Sequence, residues 1–200
     1  VLEEEVLRKT LDSFQVLFEK QKFKQVIKGI DKKLSYIENK ELSFDYELLK
    51  VSSIGRLEGI LIYDEKLREL IVKYPNSDRK KEIEKINNQI NKKWKSKKRK
   101  TIPGKYFLVF VLDNDQSQEK VMDSLTSIMN GSSRVSFDIY DYDTGFIVVK
   151  DFENKEKANY TKQFIEENIE FLRLKNNFVV LSSEYKNMLI YKTLELYKEE

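Results

Sequence analysis

The chain has 200 residues, 40% of them hydrophobic, which is enough for a buried core and for one or two small domains. Charged residues make up 36% and only six glycines and two prolines occur, a balance that favours helices and leaves little for long irregular loops. There is no cysteine and no histidine. Disulfides, thiolate chemistry, the usual zinc ligands and every Ser-His or Cys-His nucleophile are thereby excluded, and only carboxylate or lysine catalysis survives.

The formal charge of +3 is unevenly placed. Residues 1–100 hold 25 Lys and Arg against 17 Asp and Glu, and residues 101–200 hold 12 against 17. Such asymmetry predicts two units with different surfaces. No apolar run approaches the ~20 residues that span a bilayer. The sequence opens on Val1 inside a helical pattern, and so reads as part of a longer chain with any targeting segment upstream.

Residues 1–91 read as helices. Apolar side chains recur at three- and four-residue steps in Val6, Leu7, Leu11, Phe14, Leu17 and Phe18, then in Val26, Ile27, Ile30, Leu34 and Ile37. A second pair follows in Leu48, Leu49, Val51, Ile54 and Leu57, then Ile60, Leu61, Tyr63, Leu67, Leu70, Ile71 and Tyr74. Each pair has a corner, Gln21-Lys22-Phe23 in the first and Glu58-Gly59-Ile60 in the second, where Ile54-Gly55 is expected to end the helix before it. The offset is 37 residues against the ~34 of a tetratricopeptide repeat, with a loop at Asn39–Ser43 holding the difference. Pro75 closes the second pair because it lacks a backbone donor. Phe14 and Lys33 stand where such repeats prefer small residues, and Glu38 stands where the first closing proline belongs, so an ordinary antiparallel bundle is the competing reading. Residues 77–95 are predicted as a capping helix with Ser77 as its N-cap.

Seven of the nine residues from Lys92 to Lys100 are basic, which predicts an extended or frayed linker over 92–104 that ends in Thr101-Ile102-Pro103-Gly104. Beyond it, 105–200, the rhythm changes. Tyr106–Leu112 is a strand-length apolar run, Val121–Met129 is helical and is closed by Asn130-Gly131, and Val135, Phe137 and Ile139 alternate with polar residues. Phe146–Val149 makes a hairpin with that strand through Asp141–Gly145. A helix over Asn154–Phe171, a strand Phe178–Leu181 and a last helix from Ser182 or Ser183 to the terminus complete the order. The expected fold class is α+β: tetratricopeptide-like helical hairpins followed by a ferredoxin-like, SPOR-like βαββαβ sandwich with a C-terminal helix.

Three kinds of site come into question. Tyr106, Phe107, Phe110 and the Gly145-Phe146 strand could form a base-stacking platform, with Lys92–Lys100 neutralising phosphates. Thr144 before Gly145, and Ile147-Val148-Val149 after Phe146, do not match the motif of RNA-recognition domains, so no nucleic-acid partner is expected. The carboxylates Asp113, Asp115, Asp138, Asp141 and Asp143 crowd two strand ends. An EF-hand loop starting at Asp113 would need glycine at its sixth position, where Gln118 stands, so these read as capping and turn residues. The concave face of a helical array could bind peptide, with Phe14, Leu17 or Leu49 equally readable as packing. No catalytic, cofactor-binding or metal-ligating residue is assigned, and no cofactor is expected.

The runs Lys105–Phe110, Phe146–Ala158 and Phe178–Tyr185, with the helical segment ending Lys73-Tyr74-Pro75-Asn76-Ser77, resemble the C-terminal portion of the PorW/SprE family. These are tetratricopeptide-repeat lipoproteins of Bacteroidota serving type IX secretion and gliding motility. The strand followed by Asn154-Lys155-Glu156-Lys157-Ala158 also resembles a SPOR domain, which binds peptidoglycan glycan strands. The first resemblance implies a non-catalytic periplasmic scaffold, attached to the outer membrane through an upstream lipid anchor. Its partners would be the periplasmic ring and motor proteins and the outer-membrane translocon. The alternatives are a peptidoglycan binder and an RNA-binding protein.

Overall fold

The computed structural model describes residues 2–95, 102–113, 118–129, 134–173 and 176–197. The chain divides into two compact units, Val1–Lys98 and Arg99–Glu200.

The first unit is helical: α1 Leu2–Glu19, α2 Phe23–Leu34, α3 Lys40–Glu58, α4 Ile60–Lys73 and α5 Lys80–Ile90, the last continued by one π-helical turn over Asn91–Lys95. Each helix packs on its successor, and α1 also reaches α3. Local chemistry sets the corners. After α1, Gln21 takes a left-handed conformation (φ 57°), and its N–H donates to Phe18 O while that of Lys22 donates to Leu17 O. This is the bond pair of a Schellman cap, with glutamine where glycine is usual. A single residue, Gly59, separates α3 from α4, and its φ of 93° with ψ of 178° is a backbone region that side chains disfavour. Asn39 caps α3, its Oδ1 accepting from the N–H groups of Glu41 and Leu42 at 3.0 and 3.1 Å.

α3 is the shared element. Leu42 and Tyr46 bury toward α1 and α2 with Leu11, Val26 and Ile30, whereas Phe44 and Val51 bury toward α4 and α5 with Leu67, Leu70, Ile83 and Ile90. Polar ties reinforce the second side. Tyr74 Oη donates to Glu47 at 2.9 Å, Arg79 bridges Asp45 at 2.8 Å and Glu82 at 2.9 Å, and Ser77 Oγ donates to Glu41 at 3.0 Å.

Several boundaries differ from expectation. α3 runs through Ile54 and Gly55 to Glu58 and begins at Lys40, so Ser43 is helical and the Asn39–Ser43 loop does not exist. Gly55 is a contact residue instead, since a Cβ there would lie 2.7 Å from Tyr63 Cβ. Ser77 is not the N-cap of α5. Its hydroxyl is drawn to Glu41 and accepts from Arg79 N–H within a turn, and the helix starts three residues later, at Lys80. Val6 and Leu61, counted with the apolar stripes, are exposed. Of the basic run, Lys92, Lys93 and Lys95 lie in the π-helical turn and residues 96–100 lie outside the described residues.

The second unit contains β1 Tyr106–Asp113, α6 Gln118–Ile128, β2 Val135–Ile139, β3 Thr144–Phe152, α7 Lys155–Asn168, α8 Glu170–Arg173, β4 Asn177–Leu181 and α9 Ser182–Tyr191, then a 3-10 turn Leu194–Tyr197. The strands form one sheet in the order β2-β3-β1-β4 with every pair antiparallel. The two inner strands are covered on both faces, which explains their unbroken apolar runs. Leu108, Phe110 and Leu112 of β1 and Ile147 and Val149 of β3 pack against Val121 and Leu125 of α6 and Ala158 and Ile165 of α7. Val109 and Val111, with Phe146 and Val148, pack on the other face against Tyr185 and Met188 of α9 and Leu194 beyond it. The sheet is thus the middle of three layers.

Two helices are shorter than the periodicity suggests. The stretch expected as one helix over Asn154–Phe171 breaks at Ile169, whose extended backbone (φ −128°, ψ 89°) lets both Ile169 and Leu172 reach the core. Asn154 is its N-cap, accepting from Lys157 N–H at 2.8 Å. The last helix stops at Tyr191 because Lys192 turns left-handed (φ 56°) and Thr193 N–H bonds back to Met188 O. Lys192 Nζ then bonds Tyr140 O, and Tyr140 Oη accepts from Leu194 N–H at 3.0 Å, which fastens the end of α9 to the hairpin. The expected closure at Asn130-Gly131 lies outside the described residues.

Candidate functional site

The residues considered for a stacking platform do not share a surface. Along β1 even-numbered side chains face α6 and α7 and odd-numbered ones face α9, so Tyr106 and Phe110 lie on one side of the sheet and Phe107 on the other. Phe110 and Phe146 are fully buried, and Phe107 packs edge to face on Tyr185 at 5.6 Å. α9 occupies the face on which bases would stack. Gly145 serves packing: a Cβ there would meet the Phe137 ring at 2.7 Å.

The carboxylates are also separated. Asp138 Oδ2 accepts from Tyr185 Oη at 2.7 Å, and burial followed by that carboxylate pushes the Tyr185 hydroxyl above the usual tyrosine range. Asp141 Oδ1 accepts from the N–H groups of Asp143 and Thr144 at 2.9 and 2.8 Å, closing the β2–β3 turn. Asp113 ends β1 opposite Thr144, and Asp115 lies outside the described residues. No group of three or more acidic side chains suited to a metal ion stands together among the described residues. In the first unit Phe14, Leu17 and Leu49 pack partly buried against the core of α1, α2 and α3.

A concave site lies elsewhere, at an irregularity in β3. Tyr106 pairs with Phe152 but Leu108 pairs with Val149, so β3 holds one extra residue there. Asp151 takes the left-handed conformation that such a bulge needs, with φ of 68°. The extra residue restores Phe152 to the face already used by Val149. Arg134 clamps the bulge: its backbone O accepts from Lys150 N–H at 2.9 Å and its Nε donates to Lys150 O at 2.7 Å. Its guanidinium lies 4.7 Å from the Phe152 ring centroid. Met129, Arg134 and Phe152 thereby floor a shallow cleft of about 470 Å³ walled by Glu156, Lys157, Tyr160 and Thr161 of α7. Tyr160 is 74% exposed, and Phe164, one turn further along the same helix, is 46% exposed. The Lys157 ammonium bonds Glu153 and holds that carboxyl below the usual carboxylate range.

Methionine, arginine, phenylalanine and tyrosine are the side chains enriched at the cores of protein interfaces, where rigid aromatic area is gained at low entropic cost. Arg134, Phe152, Tyr160 and Phe164 were not singled out as a site by sequence reading. The available signal was the polar pair Lys150-Asp151, which interrupts the strand and puts Val149 and Phe152 three residues apart on one face.

The outer edge of β4 is largely occupied. The bonds Val111 N–H to Asn176 O and Ser182 N–H to Lys105 O set the strand's parity, turning the backbone groups of Asn177, Val179 and Leu181 outward. Asn177 O accepts from Lys162 Nζ at 3.4 Å and Leu181 N–H donates to Glu184 at 3.4 Å, leaving Val179 between them.

No protein-family model, no curated protein and no solved structure matches the chain. Among the described residues no helix is long and apolar enough to cross a membrane.

Proposed function

We propose that the chain is a non-catalytic adaptor, a tetratricopeptide-type helical array joined to a ferredoxin-like sandwich, whose business is binding other proteins. The observation that carries this reading is the covering of the sheet on both faces. A sandwich built that way offers no open sheet for stacked bases or for a glycan strand laid across it. Recognition is left to helix surfaces, of which the cleft edged by Tyr160, with exposed Phe164 one turn further along α7, has the composition of an interface core.

Two further features support the fold names. The strand order β2-β3-β1-β4 with α6 and α7 on one face is that of a split βαβ sandwich. Neighbour-to-neighbour packing along α1 to α5, with α1 touching α3, suits stacked hairpins. The resemblance to PorW/SprE proteins extends the proposal to the bacterial envelope. There the chain would link periplasmic ring and motor components to the outer-membrane translocon of type IX secretion, from a lipid anchor upstream.

The test is a crosslinking pull-down from envelope membranes with the wild-type chain and with Tyr160→Ala/Phe164→Ala. Translocon and ring proteins should be recovered with the wild type. The variant should lose at least tenfold, since interface aromatics of this kind are worth about 2 kcal/mol or more. Retention on amidase-treated sacculi with no protein recovered would overturn the reading in favour of a glycan binder.

A further inference from the structure

Six lysines, Lys20, Lys22, Lys24, Lys28, Lys32 and Lys33, fall within fourteen residues at the end of α1 and along α2, and all six are exposed. Three of them, Lys24, Lys28 and Lys32, recur at four-residue steps on α2, which spaces successive charges by ~6 Å along the helix. The single acidic residue in the segment, Asp31, is bonded by Lys50 of α3. Arg56, also on α3, lies 5.6 Å from the Phe23 ring centroid and adds a cation at the start of α2. Glu19 and Glu58, which end the neighbouring helices, are the acidic residues at that end of the row.

We propose that this lysine row is a docking surface for an anionic phospholipid bilayer. The apolar side of α2, Phe23, Val26 and Ile30, is buried in the unit's core, so the helix cannot insert and would bind by charge alone. α1 and α3 both pack on α2, and Lys24, Lys28, Lys32 and Lys33 stay on its exposed side. The six cations of the row are all lysines, compact point charges rather than the arginine forks that read bases. The exposed aromatic at its end is Tyr36, 72% exposed, a residue type enriched at headgroup depth. The proposal stands apart from the adaptor reading, and it adds a direct membrane contact to one expected only through an upstream anchor.

Each lysine near an anionic surface is worth about fivefold in affinity, the equivalent of ~1 kcal/mol. Co-sedimentation of the full chain with vesicles of phosphatidylglycerol and phosphatidylcholine in equal parts should show binding at low salt that is largely lost by ~0.3 M salt. Lys28→Ala/Lys32→Ala/Lys33→Ala should weaken it about a hundredfold, whereas Lys81→Ala/Lys85→Ala/Lys93→Ala, which removes the same charge elsewhere in the unit, should change it less than tenfold. Circular dichroism checks that both variants are folded. Equal losses in the two variants, equal binding to pure phosphatidylcholine, or salt-insensitive binding would each overturn the proposal. So would an RNA or duplex DNA oligomer that binds through the row while vesicles do not.

Discussion

Replacing Gly55 with alanine tests whether the close crossing of α3 and α4 is as tight as the geometry states. The added Cβ would sit 2.6, 2.7 and 2.8 Å from Tyr63 Cδ2, Cβ and Cγ, inside any allowed contact. Because Tyr63 Cβ is fixed to its own backbone, no rotamer relieves the overlap and α4 itself must move. The one-residue connection at Gly59 leaves the hairpin little room to slide. Overpacking of this kind costs roughly 1–3 kcal/mol, and alanine's helix propensity returns about 1 kcal/mol. Because the overlap is with a backbone-fixed Cβ, the upper part of that cost, about 2–3 kcal/mol, applies, and we expect a net loss of about 1–2 kcal/mol. Gly29→Ala is the internal comparison. There the new Cβ meets Phe14 Cε1 and Cζ at 2.4 and 2.6 Å, the far end of a ring that can swing, so the change should fall within ~1 kcal/mol of neutral. Phe14→Ala should turn Gly29→Ala stabilising, whereas Tyr63→Ala, which keeps its Cβ, should rescue Gly55→Ala only in part. Urea unfolding followed by the fluorescence of Trp94, the only tryptophan, reports on this region because it packs against the same core as Tyr63. A neutral or stabilised Gly55→Ala with Tyr63 in place would refute the close-packing argument.

Asp151→Gly should stabilise the second unit by about 0.5–1 kcal/mol, since glycine relieves the positive φ at an exposed position; thermal melts of the pair would show it, and a drop in Tm would mean the bulge is not left-handed. Alkaline pH should destabilise the chain. The hydroxyls of Tyr185, Tyr74, Tyr140 and Tyr46 are all pushed upward, in each case chiefly by burial, so the folded state keeps protons that the unfolded chain releases above about pH 10. Stability is then fully present below that pH and falls as pH rises, by ~1.4 kcal/mol per unit for each tyrosine still protonated only in the folded state. Absorbance at the tyrosinate band should show these four of the eleven tyrosines ionising late, and Tyr185→Phe should lessen the slope; all eleven titrating together in folded protein would contradict it.

How much of this was legible varies by element, and the physical reason is the range of the interaction concerned. The corners at Gln21 and Gly59 and the stop before Pro75 depend on neighbours a few residues away, and they fall where the pattern places them. Ser77 illustrates the contrary case. It has the chemistry of an N-cap, but Glu41, 36 residues earlier, accepts its hydroxyl proton, and nothing local announces that competition. The cleft was legible only in part. The break in alternation at Lys150-Asp151 marks a bulge, but the stacking of Arg134 on Phe152 requires β2 to lie beside β3 in the register observed.

By itself, then, the sequence determined where helical rhythm yields to strand rhythm, most of the residues that turn inward, and the absence of histidine and cysteine chemistry, because periodicity and composition are properties of the chain alone. Only the tertiary structure decided that α9 lies across the sheet and closes the face that a stacking platform would have needed. Parity places Phe107 and Phe110 on opposite sides of a strand, but which side stays open depends on where a helix more than seventy residues later finds its apolar match.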